Sequence, residues 1–190
     1  MTAVLAATLL VSSCGGRNHE NPARSTHADE PVVTGEPAGD NAADFTFTDT
    51  LIAQDQQGVD VAMLVPSRST DSALVTFAAT TASARRSEVT ILKVMQVQWN
   101  SDEENPRGQP NAATVKGMID PSAIANLHSQ RGGAFETLWI QSMVGLDKAS
   151  IEMANAEIAN GKNVDAVGVA KQIVEGRQAE IDRMKKMARP

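Results

Sequence analysis

The chain has 190 residues, a formal net charge of -6 and a pI near 5.1. That length suits one domain with a tail, and that charge excludes the basic stripe a nucleic-acid surface needs to displace counterions from phosphates. With no Tyr, four Phe, two Trp and one Cys, the core has to come from Ala, Val, Ile, Leu and Met. This composition suits closely packed helices better than sheets.

Met1 to Val11 is an apolar run too short to span a bilayer, and it ends at Ser12, Ser13 and Cys14 before Gly15 and Gly16. It reads as a secretory signal over residues 1–13, in which Leu10-Val11-Ser12-Ser13-Cys14 looks like a lipobox. On that reading Cys14 is lipidated and anchors the chain to the extracytoplasmic face of the cell membrane. No thiol then remains for a disulfide, a nucleophile or a thiolate metal site. Residues 15–43 are rich in Gly, Pro, Asn, Asp and Ala with few large apolar side chains, which predicts a flexible tether. His19 and His27 fall in that tether.

A repeat organises the rest. Shifting the chain by 92 positions superposes residues 44–95 on 136–187. Asp55 then meets Asp147, and Ala62, Ala78, Arg85, Glu88, Lys93 and Met95 each meet the same residue type. Each copy reads as a helical hairpin. In the first (44–99), Phe47, Leu51, Asp55, Val59, Ala62 and Val65 share a face, Pro66 ends the helix, and Ser67 to Thr70 form the turn. Asp71 caps a return helix carrying Leu74, Val75, Ala78, Ala82, Val89, Leu92 and Trp99. Residues 100–120 read as a linker, and Asp120-Pro121 starts a short helix over 121–131 broken by Gly132-Gly133. In the second copy (135–188), Trp139, Met143, Leu146, Ile151, Ala154 and Ile158 line one face up to Asn160-Gly161. Asn163 or Asp165 then starts a helix with Val167, Ala170, Ile173, Val174, Ile181 and Met184. The expected fold is all-α, an antiparallel four-helix bundle over 44–190 with one short connecting helix.

Asp55 and Asp147 interrupt apolar stripes, where an unpaired carboxylate is costly. Arg85 and Arg177 lie as far beyond each turn as the aspartates lie before it. At about 1.5 Å rise per residue, Asp55 stands level with Arg85 and Asp147 with Arg177, which predicts two ion pairs. An oxygen-ligand metal set of Asp55, Asp147, Glu88 and Glu180 is the alternative, but the Glu-x-x-His element of such sites is absent. Met143 and Met184 are soft donors suited to Cu(I), although Met in an Ala-rich bundle mostly fills gaps. His128, on the short connecting helix, reads as a surface histidine. No Ser-His-Asp set, metal motif or phosphate-cradling loop can be assembled, so no enzyme is expected.

Asp44, Phe47, Ala62, Glu88, Val89 and Trp99 in the first copy, with Glu136, Met143, Ile151, Met153, Ala154, Gln178, Glu180, Ile181 and Met184 in the second, resemble the domain-of-unknown-function 305 family. Gly117-Met118 with Asp120-Pro121 resembles that family's inter-repeat segment. The resemblance implies a ferritin-like helical fold, an envelope or secreted location, and a metal role, often copper, served by a His-His pair in each half. Here Gln54-Asp55 and Leu146-Asp147 occupy those positions, so the metal role does not carry over. Two expectations follow. One is a non-catalytic, metal-free envelope protein that presents a helical surface to another protein or a cell-wall component. The other is a copper-binding or copper-buffering lipoprotein using Met and carboxylate ligands.

Overall fold

A computed structural model describes residues 39–100 and 115–188. The signal segment, Cys14, most of the tether with His19 and His27, and most of the linker lie outside the described residues. Among the described residues the chain is all-helical: α1 (Ala42–Ala62), α2 (Val65–Arg68), α3 (Ser72–Asn100), α4 (Pro121–Ser129), α5 (Gly132–Asn160) and α6 (Val164–Met187). The helix α1 lies along α3, α5 along α6, and α1 and α5 face each other between the two hairpins. None of these helices is long and apolar enough to cross a membrane.

Local chemistry sets the boundaries. Asn41 caps α1 by accepting from the Ala43 and Asp44 amides, and Asp44 closes a capping box by accepting from the Asn41 amide at 2.6 Å. The first helix thus starts two residues earlier than the expected domain edge at 44. It also stops at Ala62, short of Pro66. Pro66 begins α2 instead of ending α1, because a residue without an N–H fits the first turn of a helix, where that donor has no partner anyway. The expected turn at Ser67 to Thr70 is therefore partly helical, and the chain reverses through a turn at Met63 and Leu64, the short α2, and Ser69 to Asp71. Asp71 then accepts from the Ala73 and Leu74 amides at 2.9 and 3.1 Å. Asp71→Ala should lower stability by about 1 kcal/mol, visible as a small drop in the thermal midpoint with unchanged helical signal.

The short connecting helix ends at Ser129, two residues before the expected 131. Gly132 and Gly133 belong to the start of α5 instead of forming a break. Gly132 has φ +59, so it supplies the corner from which α5 departs. At the other end of α5, Gly161 is the C-cap but has φ -66, which any residue adopts. Its glycine identity has a steric cause instead, since a Cβ there would meet the Glu157 carboxyl. Asn163, not Asp165, caps α6.

The apolar interior is divided in two. One cluster gathers Val61, Val65, Phe77, Leu127, Phe135, Trp139, Met143, Leu146, Ile181 and Met184. There Trp139 donates to the Val61 carbonyl at 3.1 Å and stands edge-on to Phe77. The other gathers Phe47, Leu51, Leu92, Met95, Ala154, Ala166, Ala170 and Ile173. Along each of the four long helices the residue between the two clusters is charged: Asp55, Arg85, Asp147 and Arg177.

Candidate functional site

All four of these charged side chains are buried, at 0 to 2% exposure. Arg85 donates to Asp55 through Nη1 at 2.9 Å, and through Nη2 to Asp147 and, at 3.1 Å, to Glu180. Arg177 donates through Nη2 to Asp55 at 2.8 Å and to Glu88, while its Nε lies 3.8 Å from Asp147 and its Nη1 3.7 Å from Glu180. The geometry differs from two separate pairs. Arg85 is level with Asp55, as the helix rise requires, but its planar fork spans the space between α1 and α5 and reaches both aspartates. The result is one network of six side chains from four helices. Glu88 and Glu180 close it at the outer side, where they are 24% and 17% exposed.

The network holds two more carboxylates than guanidiniums. Burial pushes Asp55 up to about 7 against the pull of Arg177 and Arg85, and neighbouring Glu88 pushes the same way. Asp147 is pushed up to about 6, again by burial first, with Arg85 opposing and Glu180 assisting. The surplus of carboxylates also holds Arg177 above its ordinary value despite its burial. Asp55 Oδ2 and Asp147 Oδ2 are buried without a protein donor, as a protonated carboxyl oxygen can be.

The residues beside the aspartates act differently from them. Gln54 accepts from the Ser150 hydroxyl at 2.8 Å and donates to the Lys116 carbonyl at 2.9 Å, joining α1, α5 and the segment before α4. Gln57 continues this fastening by exchanging hydrogen bonds with the backbone of Ile119. Gly117, with φ +78, is needed because a side chain there would strike Ala149 and Gln54. Leu146 simply packs in the apolar cluster. Glu88 and Glu180, offered as metal oxygens, are taken up by Arg177 and Arg85.

Gly58 was not singled out by the helical pattern, yet it makes the network possible. A Cβ there would come within 2.9 Å of Arg85 Cδ and 3.0 Å of Nε. Its partner at the repeat offset is Ser150, also buried, so small residues at this position in both copies were a legible signal. In an ordinary helix interior Gly→Ala gains about 0.5–1 kcal/mol. Gly58→Ala is expected to do the opposite, losing about 1–3 kcal/mol by overpacking against Arg85, as denaturant unfolding would measure.

The donor set does not fit copper. Two guanidiniums already occupy the space between the central carboxylates, and no imidazole or thiolate stands among the six side chains. Among the described residues no group of three or more His, Cys, Asp or Glu is placed to hold a metal ion. The thioethers are also dispersed, with Met143 and Met184 in one apolar cluster and Met95 and Met153 in the other. His128 lies exposed in the last turn of α4.

An all-helical domain built from two like hairpins around a buried ion network is thus the class of protein in hand. The family model described as Domain of unknown function (DUF305) matches residues 44–188, and the chain belongs to that family. Its fold is similar to a DUF305 protein from Streptomyces coelicolor described as secreted, at TM-score 0.68 and 19% identity, covering 76% of this chain and 91% of that one. It is also similar to a DUF305 fragment from Deinococcus radiodurans (TM-score 0.70, 17% identity, 79% and 97% covered). CopM in its Cu(II)-bound form aligns at TM-score 0.64 and 18% identity, covering 76% and 95%. Among curated proteins none matches the chain.

Proposed function

We propose that this chain is a non-catalytic, extracytoplasmic member of its family, with its long helices arranged as an antiparallel ferritin-like four-helix bundle and an ion network in place of a metal site. It is held to the membrane through Cys14 and presents its helical surface to another envelope protein or a cell-wall component. The observation that carries this is the position of the guanidiniums. Arg85 and Arg177 lodge against Asp55 and Asp147, the positions at which the family resemblance expects metal-binding histidines. A relative described as secreted and the lipobox-like Leu10 to Cys14 support the location.

The copper-bound forms of CopM favour the second reading, a copper-binding or copper-buffering lipoprotein using Met143, Met184 and carboxylates. Metal analysis of the purified full chain separates the two. After titration with Cu(I) under reducing conditions, and separately with Cu(II), the first reading expects no stoichiometric retention through gel filtration. A fixed ratio of retained copper, lost in a Met143→Leu/Met184→Leu variant, would establish the second.

A further inference from the structure

Away from the central network, Asp44 of α1 meets the turn between α5 and α6. Its carboxylate accepts from the backbone N–H groups of Asn41 at 2.6 Å, Lys162 at 3.1 Å and Asn163 at 2.9 Å. Three peptide dipoles therefore stabilise its negative charge. The Asn41 side chain adds a second link by donating to the Asn160 carbonyl at 2.9 Å. Beside Asp44, within side-chain hydrogen-bonding reach of it, lies Glu157 of α5, only 2% exposed, and neither of its carboxyl oxygens has a donor.

Three features around Glu157 oppose a charge on it. The first is burial: the side chain is shielded from water at the edge of a cleft of about 290 Å³ whose walls include Ala42, Phe47 and Met153. The second is Asp44 itself. The third is the end of its own helix. A Cβ at Gly161 would strike the Glu157 carboxyl, so that carboxyl is folded back onto the last turn of α5, where unpaired carbonyls carry partial negative charge. This clearance is why the C-cap is glycine at an ordinary φ.

The repeat shows that the packing does not require an acid here. At the offset of 92, Asp44 corresponds to Glu136, which accepts from the Ser69 hydroxyl at 2.7 Å at the opposite end of the molecule. Glu157 corresponds to Val65, which is fully buried. One end thus carries an ionisable group where its counterpart carries a valine.

The geometry points to a proton-operated clasp in which Glu157, as a neutral acid, donates its O–H to the Asp44 carboxylate and so fastens the start of α1 to the α5–α6 turn. Loss of that single proton sets two buried carboxylates against each other and loosens this end. Burial first and Asp44 second push Glu157 up to about 8, which places the release in mildly alkaline medium. The other charged groups nearby do not replace the proton. The Lys162 ammonium lies against Gly39, Asp165 is exposed in the first turn of α6, and Asp40 precedes the α1 cap.

The test is a pH titration of the full chain by NMR, following the Lys162 and Asn163 amides from pH 6 to 9.5 in wild type, Glu157→Gln and Glu157→Val. The wild type should show one step near pH 8 at both amides. Above the step, their protection from hydrogen exchange should fall by up to tenfold per pH unit after correction for the intrinsic rate. Both variants should lack the step, and Glu157→Val, which copies the other end, guards against a glutamine that fails to pack. A flat wild-type profile, or the same step in both variants, would overturn the clasp. So would a step whose midpoint moves with added Na⁺ or Ca²⁺, which would mark a cation in place of the proton.

Discussion

Arg85→Ala should lower the unfolding free energy by about 3–5 kcal/mol near neutral pH, the range for removing one partner of a buried ionic cluster. Arg85 is fully buried and donates to Asp55, Asp147 and Glu180, so its loss leaves carboxylates from three helices facing one another. Arg177→Ala should cost less, because Arg85 still reaches both aspartates, whereas Arg177 lies 3.8 Å from Asp147. Denaturant unfolding of both variants checks the order. Losses within about 0.5 kcal/mol for both, as at a surface site, would mean that the charges are solvated. The stability lost is not the net contribution of the network, since a well-packed apolar replacement of all its members can be neutral or stabilising.

Between pH 5 and pH 8 titration of the two buried aspartates should by itself make the protein less stable by about 2–4 kcal/mol, the opposite of the common acid-denaturation trend. The sign follows from the aspartates. In the unfolded chain they titrate near 3.8, and in the fold they are raised to about 7 and about 6, so the folded state binds more protons between those values. Their stabilisation is complete below the unfolded value and is lost as pH rises through the folded values. The Asp55→Asn/Asp147→Asn variant should lose the part of the slope below about pH 7 and keep that of Glu157, which has the same sign and extends to about pH 8; adding Glu157→Gln should flatten the remainder. Arg85→Ala should also be less damaging at pH 5 than at pH 8, because a protonated carboxyl needs no counter-cation. Thermal midpoints measured at constant ionic strength would decide, and a profile rising from pH 5 to pH 8 would contradict the raised aspartates.

Much of this organisation was legible in the sequence, because the repeat supplies each signal twice. The paired Asp55/Asp147 and Arg85/Arg177, at equal distances from their turns, identified four of the six members of the network, whereas Glu88 and Glu180 read only as metal oxygens. Their connectivity was not legible. Helix rise sets level along one hairpin, but whether a guanidinium also reaches the second hairpin depends on how α1 and α5 face each other. Pro66 misled because a proline can end one helix or open the next, and the choice depends on the preceding backbone. Gly132 and Gly133 likewise look like a break until φ +59 at Gly132 makes the corner from which α5 starts. Glu157 stayed hidden because an acid beside an apolar stripe is ordinary on a half-exposed helix. Its mismatch with Val65 at the repeat offset was the available signal.

On the reading proposed above, two guanidiniums, and not a metal, hold the buried aspartates together. Side-chain ¹⁵N NMR of Arg85 and Arg177 in the full chain, before and after equimolar copper, decides between them. Locked guanidiniums should give separate Nη signals with slow rotation about Nε–Cζ and hydrogen exchange slowed well beyond that of surface arginines, all unchanged by copper. Averaged, fast-exchanging Nη signals at both arginines, or signals that shift or broaden at one equivalent of copper, would contradict it.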